Sequence, residues 1–279
     1  MIVLPFKIPK IKNLGLIYQE DKGPFFYDKL HQHEEIQLCY ILKGEGTLIV
    51  GDTVNEYKKD DVLVLAGNQP HVFKSDNSLI KESCMISLFF TKKSFGDHFF
   101  ELDDFKEISM FFSMIKSSFS VVSNQKKIKK LFVKIKKSRD IVKFTVFIKI
   151  LTIIVKSETI SLSSFLDEKR YSDNEGKRMR DVMDYTLSNF TNKIELDDIA
   201  GVANMTSNAF CRYFKQRTNK TFFTFLNELR IETACKFLKN SEYSIIEVSE
   251  KSGFINISNF NRKFKELKGR TPSNYRLNY

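Results

Sequence analysis

The sequence predicts an α+β chain in which a β-barrel of short strands with flanking helices is followed by an all-α domain of two helix-turn-helix units joined by a long helix. Three observations carry that expectation. Between Gly15 and about Phe90, short apolar or alternating runs are broken by turn residues, the pattern of an all-β barrel or sandwich. From about Leu102 the apolar period lengthens to that of helices. Finally, the last third contains a faint copy of itself: Asn208-Ala209-Phe210-Cys211-Arg212-Tyr213-Phe214-Lys215 recurs fifty residues later as Ser258-Asn259-Phe260-Asn261-Arg262-Lys263-Phe264-Lys265.

The strands are expected at Ile36 to Leu42, Gly46 to Val50, Val62 to Leu65 and Cys84 to Phe90, with Gly44 and Gly46 supplying the positive φ angles of a tight hairpin. Within them lie His31-Gln32-His33, the Gly-x-Gly turn, an Asp-containing turn and, later, Pro70-His71. On these residues the front of the chain resembles the cupin barrel. Metal-dependent cupins continue with Glu four residues after the second His, where this chain has Gln37, and a neutral amide is a poorer ligand than a carboxylate for a divalent ion. A metal site of His31, His33 and His71, with Glu34 or Glu35, is weighed against a pocket without metal. The second is the expectation, with no cofactor and with Tyr27, His31, His33, Tyr40, His71 and Phe73 as candidate lining residues for a small molecule.

The middle of the chain reads as helices. Phe105, Ile108, Phe112, Ile115 and Phe119 share one face, and Ile128, Leu131, Phe132 and Ile135 another, with Asn124 as candidate cap. Ile141 to Val155 forms an apolar seam suited to packing on the barrel or across a two-fold axis. Lys126 to Lys143 is the densest positive stretch, opposed by Asp140 alone. It reads as a solvated face rather than as auxiliary contact with DNA phosphates. Residues 161–175 lose periodicity and become polar, so the expected organisation is a sensor barrel over 1–95, a helical packing or dimerisation segment over 96–160, a linker over 161–175 and a DNA-binding domain over 176–279.

Charge follows the same division. The chain has 279 residues and a net charge of +11, yet residues 1–120 carry 14 basic against 17 acidic groups, whereas 121–160 carry 11 against 2 and 174–279 carry 18 against 12. A mildly acidic front on a basic remainder suits a sensor joined to something that meets phosphate backbones. Cys39, Cys84, Cys211 and Cys235 have no metal or disulfide spacing. Neither a signal peptide nor a membrane span is expected, and the cytoplasm follows.

In the repeat, Ile194 to Ala203 and Ile245 to Ser252 are the first helices, with small Ala200 and Ser249 at equivalent positions. Thr206 or Ser207 caps the first recognition helix, Gly253 makes the second turn, and one residue is inserted in that turn. The helix between the copies would hold them at the separation needed to read successive major grooves. Arg230-Ile231-Glu232-Thr233-Ala234-Cys235-Lys236-Phe237-Leu238, Ser252-Gly253-Phe254, Asn259-Phe260-x-Arg262-x-Phe264-Lys265 and Gly269 to Arg276 together look like the signature of the AraC/XylS family of transcription regulators. The resemblance implies double-stranded DNA, a small-molecule effector, a homodimer and RNA polymerase as partners. It places Asn208, Cys211 and Arg212 of the first unit, and Ile257, Ser258, Asn261 and Arg262 of the second, at base-reading positions. Arginine can take guanine with both arms and asparagine can pair with adenine, while Cys211 and Ile257 offer apolar contact at most. Phe210, Phe214, Phe260 and Phe264 are expected in the core. The rival expectations are a metal-dependent cupin enzyme with a basic tail and a regulator that uses its barrel only to dimerise.

Overall fold

A computed structural model describes residues 15–76, 82–163 and 173–277. The chain divides into two compact units, Met1–Asp173 and Asn174–Tyr279. Most of the expected linker, residues 164–172, lies outside the described residues.

The first unit runs β1 (Ile17–Gly23), β2 (Ile36–Lys43), β3 (Gly46–Val50), β4 (Thr53–Tyr57), β5 (Val62–Leu65), β6 (His71–Ser75), β7 (Ser83–Phe90), α1 (Lys106–Met114), β8 (Phe119–Val121), α2 (Gln125–Lys136), α3 (Asp140–Val155) and β9 (Thr159–Ser161). One sheet has the order β1-β7-β2-β5-β8-β9 and the other β4-β3-β6. Between the sheets lies an apolar core containing Cys39, Ile41, Leu48, Tyr57, Leu63 and Phe73. The opposite face of the larger sheet carries Leu38, Tyr40, Val62, Val64, Ile86 and Leu88, covered by Phe111, Phe132, Phe147 and Ile150 from the three helices. β2, β5 and β7 are therefore buried on both faces, which is why they read as nearly continuous apolar runs.

That double burial corrects one pocket assignment. Alternation sends Gln37, Cys39 and Ile41 toward the inter-sheet space and turns Tyr40 to the helices, where its ring lies 5.5 Å from Phe132. Its hydroxyl donates to Asp60 Oδ1 at 2.5 Å, and burial first, then Asp60, pushes its pKa up to about 12. Two local expectations also change. Gly44 has φ +96 as the hairpin requires, but Gly46 does not have positive φ; a Cβ there would run into the Lys74 carbonyl of the paired strand. Asn124 precedes α2 in the left-handed region at φ 57 without a side-chain cap bond, and its amide donates instead to Ser157 Oγ. Phe119 belongs to β8 rather than to the first helix.

The lysine-rich stretch is partly tied down. Lys129 meets Asp60 and Lys136 meets Glu20, both at 2.8 Å, and Lys143 lies over the Tyr18 ring. α3 packs on the sheet through Val146, Phe147, Ile150, Leu151 and Ile154, and leaves Ile141 71% and Val142 50% exposed.

The second unit contains α4 (Asp173–Asn189), α5 (Leu196–Val202), α6 (Ser207–Thr218), α7 (Phe222–Asn240), α8 (Ile245–Lys251), α9 (Ile257–Lys268) and α10 (Pro272–Arg276). Side-chain oxygens start most of them: Thr206 caps α6, Thr221 caps α7, Ser244 caps α8, Asn256 caps α9 and Thr271 caps α10. α7 serves two cores. Its first half brings Phe222 and Phe225 against Phe210 and Phe214; its second half brings Ile231, Ala234, Cys235 and Leu238 against Val248, Phe254, Phe260 and Phe264.

Phe147 is fully buried with its ring 4.7 Å from Phe90. Phe147→Ala should destabilise the first unit by ~3–5 kcal/mol in chemical denaturation, whereas Lys149→Ala, at an exposed position of the same helix, should stay within ~0.5 kcal/mol. Equal losses would contradict this packing.

Candidate DNA interface and barrel pocket

The turn of each helix-turn-helix unit is set by one left-handed residue. In the second unit Gly253 has φ +90; in the first Asn204 takes φ 52, a conformation that asparagine tolerates better than most residues. The amide of the next residue then closes back onto the preceding helix, Met205 to Ala200 O and Phe254 to Ser249 O, at 2.9 and 3.0 Å. Ala200 and Ser249 are both 1% exposed, so small side chains sit where the helices cross. The inserted residue of the second turn is Ile255, 83% exposed.

The repeat extends further than the sequence motif. Each recognition helix ends on a left-handed residue, Asn219 or Gly269, and a capping threonine follows two residues later, Thr221 or Thr271. Phe225 and Tyr275 then occupy equivalent core positions, packing on Phe214 and Phe264. Asparagine stands at both left-handed positions in the first unit, glycine at both in the second.

On α6 and α9 the side chains segregate. Phe210, Phe214, Phe260 and Phe264 are completely buried, as expected of an inner aromatic stripe. Asn208, Cys211 and Arg212 are exposed together on α6, and Ile257, Ser258, Asn261 and Arg262 together on α9. Arg262 donates to Asn259 Oδ1 at 2.8 Å and lies 3.6 Å from Glu266 Oε2; exposed helix pairs of this kind contribute only ~0.3–0.5 kcal/mol, so a stronger partner can take the guanidinium.

Arg230 was legible only as part of a signature, and its role is structural. From the middle of α7 its Nε donates to Phe190 O at 2.7 Å and Nη2 to Asn192 O at 2.8 Å, while the guanidinium lies 5.8 Å from the Phe254 ring. Burial lowers its pKa. It thus joins the end of α4, the connecting helix and the second turn. Glu232 on α7 similarly accepts from Lys268 of α9 at 2.6 Å.

In the first unit a cavity of about 600 Å³ is lined by Tyr27, His31, His33, Gln37, His71 and Phe73, among others. Five of the six candidate lining residues are therefore brought together, and Tyr40 is not. Gln19 and Asp21 of β1 and Met85 and Phe89 of β7 complete the walls. The β1 pair is not legible in the sequence because β1 is a polar edge strand, IYQEDKG, with no clear apolar alternation; Met85 and Phe89 lie on an expected strand whose inward face the apolar run SCMISLFF does not distinguish.

The imidazoles of His31, His33 and His71 are buried and each offers a nitrogen within 4.8 Å of the other two. In each ring Nδ1 faces a backbone carbonyl, of Lys29, Glu35 and Gln69 respectively, at 2.8, 2.8 and 2.9 Å. A carbonyl only accepts, so Nδ1 carries a proton in each ring, and whenever a ring is neutral its Nε2 holds the lone pair. Gln37 Oε1 lies 3.2 Å from His33 Nε2, and the amide nitrogen donates to Ser87 Oγ at 3.0 Å. Neither Glu34 nor Glu35 lines the cavity. The tautomers and the buried cluster fit an imidazole-ligated metal; the set lacks the carboxylate of the cupin pattern.

Two helix-turn-helix units behind a cupin-type barrel define a DNA-binding transcription regulator. The helix-turn-helix domain profile matches residues 199–278 and the cupin domain profile matches residues 23–79. The HTH-type transcriptional regulator YdeC of Bacillus subtilis is 25% identical over 259 residues, spanning 90% of this chain and 86% of that protein. The HTH-type transcriptional activator RhaR of Mannheimia succiniciproducens is 22% identical over 256 residues, spanning 90% and 87%. The Tn10 TetD protein of Escherichia coli is 32% identical over 100 residues, 36% of this chain and 72% of that one. The chain belongs to the AraC family of helix-turn-helix transcription regulators.

A Cβ on Gly253 would come 2.5 Å from Phe190 O, in addition to the cost of its φ of +90. Gly253→Ala should therefore destabilise the second unit by ~1–2 kcal/mol or more. Asn204→Gly should change stability by no more than ~0.5 kcal/mol. Thermal denaturation of the two variants checks the pair.

Proposed function

We propose that this regulator is switched by a small molecule held in the barrel cavity and reads its operator with Asn208, Cys211, Arg212, Ile257, Ser258, Asn261 and Arg262. The observation that carries the DNA reading is the segregation on α6 and α9, where all seven side chains are exposed while four phenylalanines of the same helices are fully buried. Arg212 and Arg262 have the reach for guanine O6 and N7, and Asn208 and Asn261 for adenine. Thr206 and Asn256 cap the two recognition helices, whose N-terminal ends are the parts that enter the groove.

For the effector, the cavity has a suitable size, and its walls connect to the place where the chain leaves the barrel. His71 Nδ1 donates to Gln69 O, and Gln69 Oε1 accepts from Ser118 N at 3.2 Å. Ser118 O in turn accepts from Leu162 N at 2.8 Å. Leu162 packs in the same core as Phe26, Phe73 and Met85, which line the cavity. A ligand that shifts these walls acts on the last described residues before the connection to the second unit. Allosteric couplings typically amount to ~1–3 kcal/mol.

Activation of transcription, contact with RNA polymerase, a homodimer and a cytoplasmic location belong to the same proposal. Activation is supported by the name of the RhaR relative, and dimerisation by the exposed Ile141 and Val142 on α3. Among the described residues no helix is long and apolar enough to cross a membrane. The barrel is read as a sensor rather than as an enzyme because its relatives along most of the chain are transcription regulators.

Electrophoretic shift on the region upstream of its own operon tests the DNA reading. Arg262→Ala should cost ~1–3 kcal/mol of affinity and relax base preference at one operator position. Unchanged affinity and preference would remove its base-reading role.

A further inference from the structure

We propose that the outer face of α2, on the barrel unit, is a second and sequence-independent DNA contact, in which Lys126, Lys130, Lys134 and Lys137 grip phosphates of the duplex flanking the operator. The inference rests on DNA binding by the second unit, not on which of its residues read bases.

The lysine-rich stretch reads from sequence as a solvated face, and its placement on the barrel argues for more. α2 turns Ile128, Phe132 and Ile135 into the core. Lys129 and Lys136, on its flank, are taken by Asp60 and Glu20. At 3.6 residues per turn the other lysines, Lys126, Lys127, Lys130, Lys134 and Lys137, fall within about 100° of one another on the side away from the core. All five are exposed, and none has an ion pair among the described residues. Elsewhere in the unit exposed lysines are matched by acids: Lys22 and Lys43 share Glu82, Lys92 meets Glu101 and Lys93 meets Asp97. α2 has no acidic residue at all, although residues 1–120 carry 14 basic against 17 acidic groups.

The arrangement also works against the helix. Lys126 and Lys127 stand in the first turn, at the positive end of the helix dipole, and Asn124 gives no side-chain cap there. Lys126, Lys130 and Lys134 are like charges at successive i, i+4 positions. Local rules broken without a compensating contact inside the fold mark a surface kept for something outside it. Charge complementarity and tethering name that partner. The second unit brings a duplex to the chain, and a unit joined to a bound one meets the flanking phosphates at high effective concentration. The row from Lys126 to Lys137 is ~17 Å long, against one duplex charge per ~1.7 Å. Lysine is a flexible point charge that holds phosphate without reading bases.

The test titrates the full chain against two labelled duplexes from the region upstream of its own operon. One is trimmed to the bases whose substitution changes affinity; the other adds ~15 bp of arbitrary sequence on each side, about 50 Å of duplex. At about 50 mM salt the parent should bind the extended duplex about tenfold more tightly or better, whichever flank sequence is used. The slope of log affinity against log salt should be steeper for that duplex by about 2–3, as three phosphate contacts require. Combined Lys126→Gln, Lys130→Gln and Lys134→Gln should bind the trimmed duplex as the parent does and lose the gain from the flanks. Lys130→Gln alone, with a partial loss, serves if that variant does not fold. Combined Lys92→Gln, Lys93→Gln and Lys106→Gln removes the same number of lysines elsewhere in the first unit and should keep the gain. Arg262→Ala should weaken both duplexes by the same factor, which separates failure of base reading from failure of this contact. No flank gain in the parent, an equal gain in the α2 variant, or an equal loss in the matched variant overturns the proposal; after either of the first two, an acidic protein surface is the partner left for this face.

Discussion

α7 is the constraint on which the DNA-reading unit depends. Its 19 residues make a rod of ~28 Å, and buried side chains occur along its whole length: Phe222 and Phe225 pack on the phenylalanines of one recognition helix, Leu226 and Leu229 are buried in the middle, and Ile231, Ala234, Cys235 and Leu238 share the core of the other. Neither helix-turn-helix unit has a core without it. A helix apolar on several faces shows little amphipathic pattern, and here that is the consequence of serving two cores. Arg230 extends the arrangement to a third element, because its donors are taken by Phe190 O and Asn192 O at the end of α4. The helix that begins the second unit is in this way tied to the turn of its second helix-turn-helix.

The barrel follows a different logic. Its larger sheet separates an inter-sheet core from a helix-covered core, so the cavity is enclosed by one face only, and each residue of β2 is assigned to one side by a single step of register. The histidines come from two segments that meet at the His31–His71 bridge, with mutual backbone bonds of 3.1 and 2.9 Å. The turn that leads into His71 at the start of β6 holds Gln69, whose side chain reaches Ser118 beside the exit of the chain. Pocket chemistry and exit geometry thus share a few residues of backbone, which gives the sensor reading a physical route inside the first unit.

How much of this was legible follows from the same packing. Strands β2, β3, β5 and β7 announced themselves as apolar runs, whereas β1 did not, because its paired residues include Gln19, Glu20, Asp21 and Lys22. Which face Tyr40 occupied was hidden because both faces of β2 are buried and hydrophobicity distinguishes neither. Gly46 was explained by its turn neighbour Gly44, but the reason for it lies across the sheet at Lys74, a non-local contact that no local pattern records. The helix-turn-helix units were read well since caps, small crossing residues and phenylalanine spacing are all local signals. Their extension to Thr221 and Thr271 was missed because the equivalent partners differ in type: Asn219 and Gly269, Phe222 and Pro272, Phe225 and Tyr275.

Those differences bear on how the two units should read DNA. The absence of glycine from the first turn suggests an atypical geometry, and with it atypical base contacts. The backbone argues otherwise, because Asn204 adopts the left-handed conformation of Gly253 and the amide after it makes the equivalent bond to the crossing helix. The turn is shorter by the residue matching Ile255, yet both recognition helices still begin at a side-chain cap. What distinguishes the first unit is therefore carried by side chains rather than by its fold. Cys211 stands where the second unit has Asn261, so a position able to pair with adenine in one copy offers only a thiol in the other. On the proposed base-reading positions, the first unit is left with Asn208 and Arg212, a narrower set of donors on an equivalent frame.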